Sequence, residues 1–100
     1  LTASTSASDS QAPTAPSNLT ALSFSNILAN ISWNASTDNV GIDLYEIYKD
    51  NSLLSTTTST SASVALTPNV TSEFKVRAKD TNGNYSSFSN TIQVRGTSLW

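Results

Sequence analysis

From Leu19 onward, apolar side chains recur at every second position rather than at the three-and-four spacing of a helix face. Leu19 and Ala21 alternate with polar neighbours, as do Ala29, Ile31 and Trp33 in "ANISW", then Tyr45 and Ile47 in "YEI". Val64 and Leu66 follow, then Phe74, Val76 and Ala78, then Ile92 and Val94. Each set projects to one side of a pleated strand and leaves polar residues on the other. "STDN", "KDNS", "TPN" and "DTNGN" separate the runs and carry the Asn, Asp, Gly and Pro that turns need. Ser, Thr, Asn and β-branched residues fill every window, which disfavours helix. About seven short strands at roughly 8–12-residue spacing predict an all-β sandwich. Its interior should hold Leu19, Ala21, Ile31, Trp33, Tyr45, Ile47, Val64, Leu66, Phe74, Val76, Ala78, Ile92 and Val94.

The ends read differently. Residues 1–12, "LTASTSASDSQA", hold one large apolar side chain and cannot bury enough to offset chain entropy, so they read as linker. Pro13 and Pro16 stiffen the approach to the first strand. The expected organisation is a linker over 1–12, a domain over 13–96, and a tail or the start of a next linker over 97–100. The chain opens at Leu1, with no Met and no signal-like segment, and reads as a piece of something longer.

Composition narrows the function. One hundred residues make one small domain with a single core. Five Lys and Arg and a net charge of -2 argue against a nucleic-acid surface and against electrostatic anchoring to a membrane. No apolar run approaches the roughly 20 residues of a membrane-spanning helix. The absence of Cys removes disulfides, thiol catalysis and thiolate metal sites. Ser and Thr together make up 33 residues, which leans toward the polar, lightly charged surfaces of secreted bacterial modules.

Candidate chemistry is sparse. Without His or Cys, hydrolase triads lack their usual base and thiol nucleophile. The carboxylates are Asp9, Asp38, Asp43, Glu46, Asp50, Glu73 and Asp80, and a glycosidase needs two of them facing each other across a cleft. They fall in the linker, in loops or at outward strand positions, where nothing desolvates them. Asp38, Asn39 and Asp43, or Asp80, Asn82 and Asn84, could offer oxygen to Ca²⁺, but "DTNGN" lacks the remaining ligands of an EF-hand loop. Asx-turn chemistry, with Gly83 at positive φ, is the simpler reading. Five Asn-x-Ser/Thr sequons, at Asn18, Asn30, Asn34, Asn69 and Asn84, match what this composition produces by chance within a factor of about two.

Lys75, Arg77 and Lys79 alternate with the apolar set, so they project outward, where they should pair with Glu46 and lie over Tyr48. Exposed aromatics could form a stacking platform for sugars. The candidates are Phe24, Tyr48, Tyr85, Phe88 and Trp100, of which Tyr48, Tyr85 and Phe88 are the possible ligand contacts. The competing reading covers Tyr48 with basic stems and uses Phe88 to close the end of the core.

The order Pro16-x-x-Leu19, Ile31-x-Trp33, Tyr45-x-Ile47 and Leu66-x7-Phe74-x-Val76-x-Ala78 resembles the fibronectin type III domain across residues 13 to about 95. "APTAPSNLTA", "WNASTDNVGI" and "AKDTNGNYSSFSNTI" are similar to the bacterial form, found between domains of secreted chitinases, cellulases and similar depolymerases. The resemblance implies a seven-stranded immunoglobulin-like sandwich with sheets A-B-E and C-C′-F-G. Asn34–Asp50 then becomes the B–C loop and strand C, carrying the chain from one sheet to the other. One departure stands out. The family's corner tyrosine, six residues after the E–F leucine, falls here at Ser72, so some stability should be missing.

The resemblance implies no catalytic residues, no metal and no cofactor. It implies a spacer or interaction module in a secreted or cell-surface multidomain protein, most simply a polysaccharide-degrading enzyme. A carbohydrate- or protein-binding module using the F–G aromatics, and a repeat of a cell-surface adhesin, stay open. The implied partners are neighbouring domains of the same chain and an insoluble polysaccharide or cell-surface protein. Nucleic acid and membrane are not among them, and the module should be monomeric.

Overall fold

The computed structural model describes residues 12–98. Apart from Ala12, the expected linker lies outside that range, as do Asp9, Leu99 and Trp100. Seven strands follow one another: β1 (Ser17–Phe24), β2 (Leu28–Asn34), β3 (Ile42–Lys49), β4 (Ser52–Thr57), β5 (Ser61–Ala65), β6 (Thr71–Asp80) and β7 (Ile92–Arg95). They form two antiparallel sheets, β1-β2-β5 and β4-β3-β6-β7. This is the fibronectin type III arrangement expected above, and no described residue is helical.

Turn chemistry sets the path. Asp50 (φ 51°) and Asn51 (φ 68°) both adopt left-handed backbone between the paired Lys49 and Ser52. Two such residues make the type I′ turn whose twist matches that of the flanking strands. Asn34–Gly41 crosses between the sheets. There the Asp38 carboxylate accepts the Val40 amide at 3.1 Å, and Gly41 takes φ 114°, which side-chain-bearing residues resist.

Leu19, Ala29, Ile31, Trp33, Tyr45, Ile47, Val64, Leu66, Phe74, Val76, Ala78 and Val94 fill the space between the sheets. Trp33 and Tyr45 meet edge to face, ring centroids 5.6 Å apart. Removing a side chain the size of Phe74 or Ile47 from water stabilises the fold by about 1.5–3 kcal/mol. Ile92 and Ala21 are only half-buried, packing against this cluster from its margin. Both belong to edge strands: Ile92 opens the short β7, and Ala21 precedes a register shift in β1.

The two ends of the sandwich are tied differently. The Thr14 amide donates to the Thr37 carbonyl at 2.9 Å, and the Thr37 amide donates to Thr14 Oγ1 at 2.9 Å, so the chain arrives beside the β2–β3 loop. The Thr97 amide donates to the Ser25 carbonyl at 3.2 Å, so it departs beside the β1–β2 turn. Arrival and departure are separated by the length of β1, about 25 Å at the usual rise per residue.

Ser72, at the family's tyrosine position, points inward, is 2% exposed and pairs with Val94. The corner near it is held by backbone instead. Val70 donates to Thr67, Asn69 to Gly96, and Gly96 to Val70, at 2.9–3.1 Å. A tyrosine hydroxyl does close a loop, at the opposite end: Tyr45 Oη accepts the Ser36 amide at 3.0 Å.

Candidate functional site

Strand β6 alternates strictly. Phe74, Val76, Ala78 and Asp80 are buried on one side, and Lys75, Arg77 and Lys79 lie half-buried on the other. Across the antiparallel pair, Lys75 sits opposite Tyr48, Arg77 opposite Glu46, and Lys79 opposite Leu44. The register therefore assembles a row of cations and aromatics on the outer face of the four-stranded sheet.

Arg77 is its hub. Its Nε donates to Glu46 Oε1 at 2.8 Å and Nη2 to Tyr48 Oη at 3.0 Å. Its guanidinium carbon lies 4.1 Å from the Tyr85 ring centroid and within 5.3 Å of those of Phe88 and Tyr48. Lys75 Nζ sits 4.3 Å over Phe88 and donates to Asn51 Oδ1. Tyr48 and Phe88 touch edge to face at 5.0 Å. Tyr48, Tyr85 and Phe88 thus form one cluster around Arg77, which composition alone does not reveal. Phe88 does not close the end of the core; it lies on the outer face against Tyr48, because the segment carrying it runs alongside β6. Phe24 is exposed on the other sheet, and Trp100 lies outside the described residues.

That segment is held by serine hydroxyls. The Ser86 amide donates to the Ala78 carbonyl at 2.9 Å, while Ser86 Oγ accepts the Ala78 amide at 2.8 Å. Ser89 repeats the arrangement with Val76, at 2.7 and 3.0 Å. Asn90 then imitates a strand residue: its Oδ1 accepts the Leu19 amide and its Nδ2 donates to the Leu19 carbonyl. Residues 85–90 occupy the edge that a longer β7 would cover, and this sets Tyr85 and Phe88 on the outer face. The "SSFSN" run was the available sequence signal, but hydroxyl-to-amide pairing has no period of its own.

Two carboxylates depart from the sequence reading, because packing desolvates them. Glu46 is 8% exposed beneath Arg77, and Asp80 is 0% exposed at the end of β6. They lie on opposite faces of one sheet and cannot flank a common bond. Asp80 Oδ1 accepts the amides of Asn82 and Asn84, and Oδ2 accepts Asn84 Nδ2, so the loop's own N–H groups surround the carboxylate. Gly83 supplies the positive φ of 88°. Among the described residues, no three His, Cys, Asp or Glu side chains converge as metal ligands, and no helix is long and apolar enough to cross a membrane.

No protein-family model matches the chain. Chitinase A1 of Niallia circulans is 40% identical over 92% of this chain and 14% of its own length. Exoglucanase A of Cellulomonas fimi is 44% identical over 81% of this chain and 9% of its own length. Among solved structures, the chitinase ChiA74 from Bacillus thuringiensis superposes with a TM-score of 0.81 at 32% identity, over 89% of this chain and 14% of that one. The fibronectin(III)-like modules of Clostridium thermocellum CbhA share the fold, with a TM-score of 0.67 at 16% identity over 83% of this chain and 98% of theirs. The chain thus spans about one seventh of the chitinases it resembles.

Proposed function

This chain is a fibronectin type III module similar to segments of bacterial chitinases and exoglucanases, and from that premise we propose that it is a non-catalytic spacer and interaction module in a secreted, polysaccharide-degrading multidomain protein. The carrying observation is the placement of Thr14 and Thr97 at opposite ends of the sandwich. Domains attached there are held apart by the length of a packed β-sheet. A flexible linker of equal residue count would let them approach. The buried carboxylates, on opposite faces of one sheet, support a non-catalytic role. Deleting the module from the parent protein tests this. Activity on soluble substrate should persist while activity on insoluble substrate falls, and equal loss on both would refute the spacer reading.

A second reading has its own observation. Tyr85 is 42% exposed with Arg77 stacked on its ring, which leaves a flat, preorganised edge of the cluster open to a sugar. Loss of retention on insoluble polysaccharide in Tyr85→Ala would favour it, and unchanged retention would remove it.

A further inference from the structure

Charge is distributed unequally between the two sheets. Residues 10–37 and 51–72 contain no charged side chain, so β1, β2, β4 and β5 have none, and every charged strand residue lies on β3, β6 or β7. Globular domains average about 25% charged residues, against 12% here. The three-stranded sheet therefore presents a wholly uncharged outer face.

That face has structure. A groove runs across it, lined by Leu22, Ser23, Asn30, Ser61 and Ser63. Asn30 Nδ2 donates to Ser23 Oγ at 3.0 Å, and Ser63 Oγ donates to Asn30 Oδ1 at 2.6 Å. This polar row crosses all three strands, about 10 Å at the usual strand spacing. Both hydroxyl oxygens keep acceptor capacity, and Asn30 keeps a second amide hydrogen. Leu22, 65% exposed, stands beside the row as an apolar contact. Lys49 Nζ, on β3, donates to the Ala65 carbonyl at the end of β5 at 3.0 Å.

We infer that this groove is a docking surface for an uncharged, hydroxyl-rich chain, a neutral polysaccharide lying across the β1-β2-β5 sheet. Binding such a ligand to a charged face would strip water from ions that the ligand cannot pair. A face without charge escapes that penalty, and Ser and Asn offer both donors and acceptors to sugar hydroxyls. An anionic polymer would find nothing to neutralise it here. A protein partner would look for the aromatic and Arg anchors that fill interface centres, and the groove contains none.

The inference goes beyond the spacer role and is tested separately from it. The 100-residue chain is mixed with powdered chitin and, in parallel, with microcrystalline cellulose, and depletion from solution is measured at low salt and in about 1 M NaCl. The chain should be retained on at least one powder, equally at both salt concentrations. Ser61→Asp and Leu22→Asp both change exposed groove residues, and melting curves would check their folding. Each should weaken retention about fivefold or more, as expected from losing contacts of ordinary hydrogen-bond strength. Thr56→Ala, at an exposed position of the uncharged β4 on the other sheet, should bind as the parent chain does. Any of four results would overturn the inference: no retention, retention that salt abolishes, retention lost in Tyr85→Ala but kept in Ser61→Asp, or self-association without powder that Ser61→Asp prevents. None of these would bear on the deletion test of the spacer.

Discussion

The hydroxyl oxygen of Tyr45 accepts the backbone amide of Ser36 at 3.0 Å in the buried space beneath the β2–β3 loop. The phenol packs against Trp33 with its ring and reaches the loop with its polar tip. Tyr45→Phe keeps the ring and leaves that amide without its acceptor. It should destabilise the fold by about 1–3 kcal/mol, the usual penalty for an orphaned buried donor. Urea denaturation would show this as a lower midpoint at unchanged slope; an unmoved midpoint would mean that the amide finds another acceptor.

Ser86 and Ser89 replace strand pairing with side chains. Ser86→Ala and Ser89→Ala should each cost about 1–2 kcal/mol by stranding the Ala78 and Val76 amides. Hydrogen exchange at those two amides should accelerate more than at the Tyr45 amide on neighbouring β3. Uniform acceleration would instead mean that the hydroxyls contribute only to global stability.

Gly96 is required by crowding. A β-carbon there would stand 2.2 Å from the Thr67 carbonyl oxygen and 2.7 Å from that of Asn26, both backbone atoms with little room to yield. Gly96→Ala should lower stability by about 2 kcal/mol or more, with the loss concentrated where the chain departs. Chemical shifts that change most at Thr67–Val70 and Asn26 would confirm the location.

Arg77→Ala removes an ion pair and the cation shared by three rings. Glu46 and Arg77 side chains are 10% and 25% exposed, so the pair is worth more than a surface one, and its loss should cost about 1–3 kcal/mol. Arg77→Lys should recover only part, since an ammonium cannot stack flat and bond Glu46 and Tyr48 together. Full recovery with Lys would reduce the cluster to simple charge pairing.

The Asp80 loop should ignore calcium. Its carboxylate is already surrounded by the N–H groups of Asn82 and Asn84, so EDTA and excess Ca²⁺ should both leave Tm unchanged. A rise in Tm with calcium would show that the loop can reorganise around the ion.

What the chain determines by itself is the two-residue rhythm, the turn residues and the absence of His and Cys. Those suffice for the strands and the layered fold, because side-chain direction in a strand follows position alone. Asp50-Asn51 and Gly41 announce their turns for the same local reason. Tertiary structure decides everything that depends on register and edges. It selects Arg77 among the three outward cations as the expected partner of Glu46, lays Phe88 on Tyr48 instead of in the core, buries Asp80 and Glu46, and leaves Ile92 at the margin. These outcomes need residues distant in the chain to meet, from 31 positions for Glu46 and Arg77 to 71 for Leu19 and Asn90, and the local spacing of polar residues does not say which of them will meet.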